Sequence, residues 1–362
     1  MAKKTVIPFG PQHPVLPEPL HLDLVVEDDV VIEAVPQIGF VHRGLEKLVE
    51  KRDMHQFGYI AERICGICAV GHSYGYATAC ERLLGIEAPR RAQYIRVVLH
   101  ELSRIHSHLL WLGLLADAFG FEALFMRSWT LREQILKIFE RTCGGRVILS
   151  INEIGGLKHD IPDEELAGIV EVLDRMRPDY ERLMHTFLDD ASCGERLHGV
   201  GVIGRDKALE LSMVGPFVRA SGVDYDVRMF GDGAYGELGD FAPIVGTDGD
   251  CYDRCRVRCA EVLQSMDIVR ELVARMPSGD IGGRTKLVPA DGARAEVLLE
   301  QPRGEAYYYV SGNGTKNLDR FRVRTPTSQN LAGLTYALQG AKLADVPMII
   351  LTIDPCISCT ER

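Results

Sequence analysis

The 362-residue chain is expected to fold as a mainly α protein with small β appendages, an α+β arrangement around a long central helix bundle. Apolar side chains recur at the 3.6-residue period through roughly 53–84, 90–118, 122–142, 162–189 and 251–275, each long enough for a packed helix. Elsewhere the period falls to two. Residues 20–35 alternate apolar and polar around the acidic turn Glu27-Asp28-Asp29, which reads as a β-hairpin, and Glu296–Glu300 and Tyr307–Val310 suggest a second β patch. Gly- and Asp-rich stretches at 231–249 and 277–293 read as loops. With no repeat or low-complexity linker, we divide the chain into an N-terminal β-sheet region, 1–52, packed on a helical core, 53–362. That core carries the small β patch and a C-terminal tail that folds back, and the whole is treated as one domain.

Composition narrows the function. Lys and Arg number 41 against 51 Asp and Glu, a formal charge of −10 with no basic block, which argues against a nucleic-acid partner. Met1-Ala2-Lys3-Lys4 leads into no apolar segment, and the longest apolar stretch, Leu109 to Ala116, falls far short of the roughly 20 residues a membrane span requires. We therefore expect a soluble intracellular chain that neither is secreted nor crosses a bilayer. Its ten cysteines then read as thiols and ligands rather than disulfides.

Four of those cysteines form two Cys-x-x-Cys pairs at opposite ends of the chain, Cys65/Cys68 and Cys356/Cys359. Such a pair turns two sulfurs toward one ion, and soft thiolates select zinc, nickel or iron over magnesium or calcium. Two readings follow. A structural zinc ion would satisfy the spacing, but it usually staples a small domain with closely spaced pairs. Here 287 residues separate the pairs, in a chain long enough to build its own core, so a redox or catalytic metal is favoured. Cys251, Cys255 and Cys259 recur every fourth residue and would line one face of a helix. An iron-sulfur ligand set is conceivable there, although such clusters usually draw on loops, and packing is the favoured reading. Cys80, Cys143 and Cys193 have no partner at ligand spacing.

With Gly10-Pro11-Gln12-His13-Pro14 and His42-Arg43-Gly44-Leu45-Glu46-Lys47, the pairs give the chain a resemblance to a known family. It resembles the large, catalytic subunit of nickel-iron hydrogenases, specifically the membrane-associated energy-converting group (Ech-type, group 4). It is also similar to the quinone-site subunit of respiratory complex I, which has lost the four cysteines. The resemblance implies a nickel-iron centre whose iron carries cyanide and carbon monoxide. Cys65 and Cys356 would be terminal nickel ligands, and Cys68 and Cys359 would bridge nickel and iron. It implies that Arg303 stands over the open metal position, with Asp117 and Asp354 as candidate partners, and that Glu18, 47 residues before Cys65, relays protons. His72 would donate to a bridging sulfur, and Pro326 and Thr327 match the cyanide-contacting segment. Glu46 matches a ligand of a magnesium or iron ion near the C-terminus, although Arg362 stands where those relatives carry histidine. His13 faces the quinone cavity in the complex I subunit; here a rigid proline-flanked turn is the favoured reading. His100, His106 and His108 lack ligand spacing and read as structural.

The implied activity is heterolytic cleavage of dihydrogen, or proton reduction in reverse. No convincing iron-sulfur motif carries electrons away, so partners are implied: a small subunit with a [4Fe-4S] cluster, a ferredoxin-like iron-sulfur subunit, integral-membrane ion-translocating subunits, and soluble ferredoxin. The chain would then lie on the cytoplasmic face of the cell membrane, with Arg362 at the position where relatives are cut during maturation. The alternatives are a complex I-like quinone-site subunit and a scaffold stabilised by structural zinc.

Overall fold

A computed structural model describes residues 4–362. Strands β1 (Lys4–Phe9), β2 (His21–Glu27) and β3 (Val30–Gln37) make an antiparallel sheet in the order β1-β2-β3. The expected hairpin is β2-β3. Its two turn residues, Asp28 and Asp29, both hold positive φ, 47° and 68°, a geometry that short polar side chains tolerate and that suits the twist of a tight hairpin. Leu22, Leu24 and Val26 alternate into the core. The outer edge of β3 pairs with the far end of the chain, Val31 N–H donating to Ala341 O (2.9 Å) and Val31 O accepting from Gly340 N–H (2.8 Å).

The helical pattern expected over 53–84 is two helices, α1 (Met54–Glu62) and α2 (Ala69–Leu84), with a break between them. Asp53 caps α1 by accepting from His55 N (3.0 Å) and Gln56 N (2.9 Å). At the break the Cys65 sulfur accepts the backbone N–H groups of Ile67 (3.3 Å) and Cys68 (3.4 Å), donors that precede the first turn of α2. Then follow α3 (Arg90–Ala118), α4 (Glu122–Cys143), the two-residue strands β4 (Asn152–Glu153) and β5 (Gly156–Leu157), and α5 (Asp163–Leu188). Short helices α6 (Ala191–Leu197), α7 (Arg205–Glu210) and α8 (Pro216–Ala220) lead to α9 (Cys251–Ala274). Strands β6 (Arg294–Gln301), β7 (Gly304–Gly312) and β8 (Leu318–Arg324) make a second antiparallel sheet, and α10 (Pro326–Leu338), α11 (Val346–Ile353) and α12 (Ile357–Thr360) close the chain. The long helices α3, α4, α5 and α9 coincide with the periodic stretches, and α3, buried along most of its length, packs against α2, α4, α9 and α11. Among the described residues no helix is long and apolar enough to cross a membrane.

One seam of this core is ionic. Glu101 and Arg104 of α3, Arg219 of α8, Asp226, Arg228, Glu261 of α9 and Glu300 of β6 are all essentially inaccessible to solvent. Arg219 bridges Glu261 (2.7 Å), Glu300 (2.8 Å) and Asp226 (3.1 Å), while Arg228 pairs with Asp226 (2.7 Å) and Glu101 (3.3 Å). Removing one member would strand a buried charge, which costs far more than an exposed pair is worth. The carboxyls respond unequally. Burial opposes ionisation of Glu101, but Arg104 and Arg228 outweigh it and lower this carboxyl to about 2. For Glu300 burial, aided by Asp226, wins over Arg219 and raises it to about 7. A raised carboxyl contributes stability that is complete below its ordinary value of 4.5 and lost as pH climbs through about 7. Glu300→Gln, neutral at every pH, is therefore expected to flatten the fall in stability between pH of about 5 and about 7.5, measured as denaturant midpoints of the full chain. An unchanged slope would show that Glu300 is ionised throughout.

Candidate metal centre

The break between α1 and α2 presents Cys65 and Cys68, the loop after α11 presents Cys356, and α12 itself presents Cys359. All four are 2–3% exposed. The Cys65 and Cys356 sulfurs lie 3.3 Å apart, and the sulfurs of Cys65, Cys68 and Cys359 all lie within 4.8 Å of one another. Among the described residues this is the one grouping of three or more His, Cys, Asp or Glu side chains with metal-binding geometry. Arg43 ties the two loops together, donating to Arg63 O (3.0 Å) and Ile64 O (2.8 Å) on one side and Ser358 O (2.8 Å) on the other. The Glu361 carboxylate accepts from Gly39 N and Val41 N, both at 2.5 Å, and fixes the tail beside the same segment.

The thiols compete for charge. Hydrogen bonds from Cys356, then Cys359 and Cys68, hold Cys65 well below the ordinary thiol value against the cost of burial, and Arg303 adds to the effect. Hydrogen-bonded within the cluster to Cys356, Cys65 and Cys68, and buried, Cys359 is pushed well above it. Protons alone thus let one sulfur ionise at its neighbours' expense, whereas a soft cation displaces protons from thiols and lets all four ionise together. The donor set fits a soft metal. Elsewhere burial raises the thiols: Cys80, Cys193 and Cys259 reach about 12 and Cys143 about 11. Cys251, Cys255 and Cys259 are buried along α9, where Cys251 accepts from Thr352 Oγ1 at 3.3 Å.

Arg303 stands in the two-residue turn from β6 to β7. The turn rests on backbone: a Cβ on Gly304 (φ 128°) would lie 2.7 Å from Gly215 Cα, and one on Gly215 would lie 2.3 Å from Arg303 O. From there the guanidinium reaches Asp354 Oδ1 (2.8 Å), Asp354 O (2.9 Å), Ser107 Oγ (3.2 Å) and the Cys68 sulfur (3.6 Å). Burial works against its charge, but Asp354, Cys68, Cys356 and Cys65 hold it protonated, well above the ordinary guanidinium value. Burial raises Asp354 against the pull of Arg303, and its Oδ2 is buried with no hydrogen-bond partner. Asp354 adopts the left-handed conformation (φ 60°) that caps α11, and the last carbonyls of that helix, Thr352 O and Ile353 O, accept from Arg258 at 2.6 and 2.8 Å. Of the two candidate partners for Arg303, Asp354 is the one paired. Asp117 lies exposed near the end of α3, ten residues and thus about 15 Å along the helix from Ser107.

The half-buried Glu18 carboxylate accepts from Ser358 N at 3.1 Å, from Ile357 N and from Ser358 Oγ, all between the two C-terminal cysteines. Thr327 Oγ1 accepts from Cys356 N (2.9 Å), and Pro326 opens α10 beside it. His72 Nε2 lies 3.3 Å from the Cys359 sulfur; burial lowers this imidazole to about 4, so it is neutral at ordinary pH. His13 lies in a turn, Leu16 N–H donating to its carbonyl (2.9 Å), with its ring stacked on Phe9. His100, His106 and His108 each engage protein groups, Glu300 O, Arg132 and Glu261.

Glu46, the candidate for a second metal site, lies against arginines. Its Oε1 accepts from Arg362 Nε (2.9 Å) and Val323 N (3.0 Å), and its Oε2 lies 3.5 Å from Arg322. The Arg362 guanidinium offers no lone pair to a metal and pairs with the Glu46 carboxylate instead. Sequence reasoning also passed over Ser107, Tyr308 and Gln301. Three tyrosines in a row give no sequence signal for the second, whose ring alone of the three turns fully inward.

Comparison with known proteins agrees with this architecture. Residues 43–117 match the family model described as nickel-dependent hydrogenase, and residues 118–296 and 285–362 match that of the respiratory-chain NADH dehydrogenase 49 Kd subunit. The membrane-bound hydrogenase subunit alpha of Pyrococcus furiosus is 36% identical over 98% of this chain and 87% of its own length. An NADH-quinone oxidoreductase subunit of Solibacter usitatus is 36% identical over 99% of this chain and 97% of its own. A chain in the solved structure of the membrane-bound sulfane sulfur reductase, an archaeal respiratory membrane complex, superimposes with a TM-score of 0.93 at 30% identity, covering 99% of this chain and 98% of that one. Bundle and buried thiols together define an oxidoreductase large subunit. The chain belongs to the family shared by nickel-iron hydrogenase large subunits and the 49 Kd subunit of complex I, on its membrane-associated, energy-converting (Ech-type, group 4) branch.

Proposed function

We propose that this chain is the catalytic subunit of a reversible nickel-iron hydrogenase, whose metal centre Cys65, Cys68, Cys356 and Cys359 would hold. The observation that carries the reading is the approach of four buried sulfurs from both ends of the chain, the feature that the complex I subunit lacks. A nickel-iron centre with cyanide and carbon monoxide on its iron would supply the chemistry of heterolytic dihydrogen cleavage there.

The side chains divide the remaining work. Arg303, kept charged by Asp354, presents a fixed cation beside the Cys68 sulfur and favours negative charge developing there. Thr327 accepts from Cys356 N and so keeps its hydroxyl proton to offer a cyanide ligand. Glu18 takes the released proton at its carboxylate and passes it outward. Electrons leave through partners: a small subunit with a [4Fe-4S] cluster, then a ferredoxin-like subunit and soluble ferredoxin. Integral-membrane subunits couple the reaction to ion translocation, with this chain on the cytoplasmic face.

A second reading, a quinone-site subunit, is favoured by the match of residues 118–296 and 285–362 to the 49 Kd subunit. Elemental analysis and infrared spectroscopy of the purified complex separate the readings, because cyanide and carbon monoxide absorb where protein does not. Nickel and iron with those bands are expected. Stoichiometric zinc alone would support the scaffold, and a metal-free complex that reduces quinone without taking up hydrogen would support the second reading.

A further inference from the structure

We propose that Tyr308 is a positioning residue for the thiolate cluster: its hydroxyl donates to His72 Nδ1 and thereby fixes the imidazole with its N–H on Nε2, aimed at the Cys359 sulfur. The inference rests on the reading of Cys359 as a metal-bound thiolate for its consequence, though not for its geometry. Three contacts form one line. Gln301 Nε2 donates to Tyr308 Oη at 2.8 Å, Tyr308 Oη lies 3.0 Å from His72 Nδ1, and His72 Nε2 lies 3.3 Å from Cys359 Sγ. Gln301, Tyr308, His72 and Cys359 are all buried, so water does not compete for these groups.

The direction of the line follows from counting protons. With the Gln301 amide nitrogen facing it and Gln301 Oε1 left buried without a partner, Tyr308 Oη accepts from Gln301 and has its own proton to place. Two acceptors are in reach, His72 Nδ1 at 3.0 Å and Gly71 O at 3.4 Å. The imidazole nitrogen is nearer, and the carbonyl sits inside α2, where the helical ladder already engages it. A neutral imidazole that accepts at Nδ1 carries its proton on Nε2. The opposite tautomer would set an Nε2 lone pair against the sulfur and leave two N–H or O–H donors crowded at Nδ1. An N–H···S bond draws electron density from the sulfur, which is how an outer hydrogen bond tunes a metal through its ligand.

The fold reserves space for this line. A Cβ on Gly71 would lie 2.3 Å from Gln301 Oε1, and one on Gly75 would lie 2.4 Å from Tyr308 Cε2. These two glycines, one turn apart on α2, let the β6-β7 hairpin press its Gln301 and Tyr308 side chains against the helix that carries His72. Both glycines have ordinary helical φ, so side-chain room rather than backbone freedom accounts for them.

The test uses the full chain labelled with ¹⁵N-histidine, the His72 signals being assigned by their loss in His72→Gln. In the wild type His72 is expected to show protonated Nε2 and bare Nδ1. Tyr308→Phe keeps the ring and removes the donor, so the His72 nitrogens should move toward a mixture of tautomers. Gln301→Met, which removes the preceding donor, should move them the same way by less, and it serves where Tyr308→Phe does not fold. Nickel retention against a chelator should fall about tenfold in Tyr308→Phe, the lower end of what losing an outer-shell partner costs. His72 shifts that match the wild type in whichever of these variants folds would overturn the proposal. Failure of the wild type to bind nickel would instead overturn the metal reading, while the tautomer measurement, which needs no metal, still decides the role of Tyr308.

Discussion

Serine in place of Cys65 or Cys356 is expected to remove nickel and hydrogen-dependent turnover together. A hydroxyl is a hard, weakly acidic donor, so it offers nickel neither the softness nor the charge of a thiolate. Cys65 is the more telling position, because its sulfur already collects hydrogen bonds from Ile67 N, Cys68 N and Cys356 and is the cluster member most ready to ionise. Turnover should fall by more than the roughly 100-fold that losing an outer-shell partner can cost. Cys255→Ser is the control: that thiol is equally buried, with burial pushing it well above the ordinary value. It should retain nickel and lose only about 1–3 kcal/mol of stability for an unsatisfied buried hydroxyl. Metal analysis and dye reduction by hydrogen on the purified complexes check both. Full activity in Cys65→Ser or Cys356→Ser would end the assignment of these cysteines as nickel ligands.

What the sequence made legible is what local period and spacing encode. Helices α3, α4, α5 and α9 are long, α4 and α5 with a clear apolar face, and the Asp28-Asp29 turn is flanked by clear alternation. Helix α11 was missed because Val346–Ile353 is apolar almost throughout, so no face stands out and neither period shows. Strand β8 buries Leu318, Phe321 and Val323 among charged residues, but the step of three from Leu318 to Phe321, at an irregularity opposite Ser311 and Gly312, breaks the period of two. The break at Cys65 lay inside one periodic stretch because its cause, a sulfur accepting backbone N–H groups, has no hydrophobic signature. In the site, Cys-x-x-Cys spacing is local and therefore visible. Pairings such as Arg303 with Asp354 rather than Asp117, Glu46 with Arg362, and Tyr308 with His72 join residues 51, 316 and 236 positions apart. Side-chain chemistry limits those partners, but only the packed chain selects among them.

Glu18→Gln is expected to leave the metal centre assembled while lowering turnover by at least the roughly 10²-fold that a positioned acid-base group contributes. Assembly should survive because the amide oxygen can still accept from Ile357 N and Ser358 N, and the Ser358 hydroxyl can rotate to accept from the new NH₂ group. The backbone between Cys356 and Cys359 then keeps its anchor, so nickel content and the infrared bands of the iron ligands should match the wild type. What the amide cannot do is take up a proton and release it. Hydrogen-deuterium exchange, which also requires protons to leave the site, should therefore fall in step with turnover, whereas a purely structural role would lower metal content first. Comparing exchange, turnover and nickel in one preparation distinguishes the two. Near-normal exchange and turnover with the centre intact would assign proton exit to another group and leave Glu18 as an anchor of the C-terminal cysteine loop.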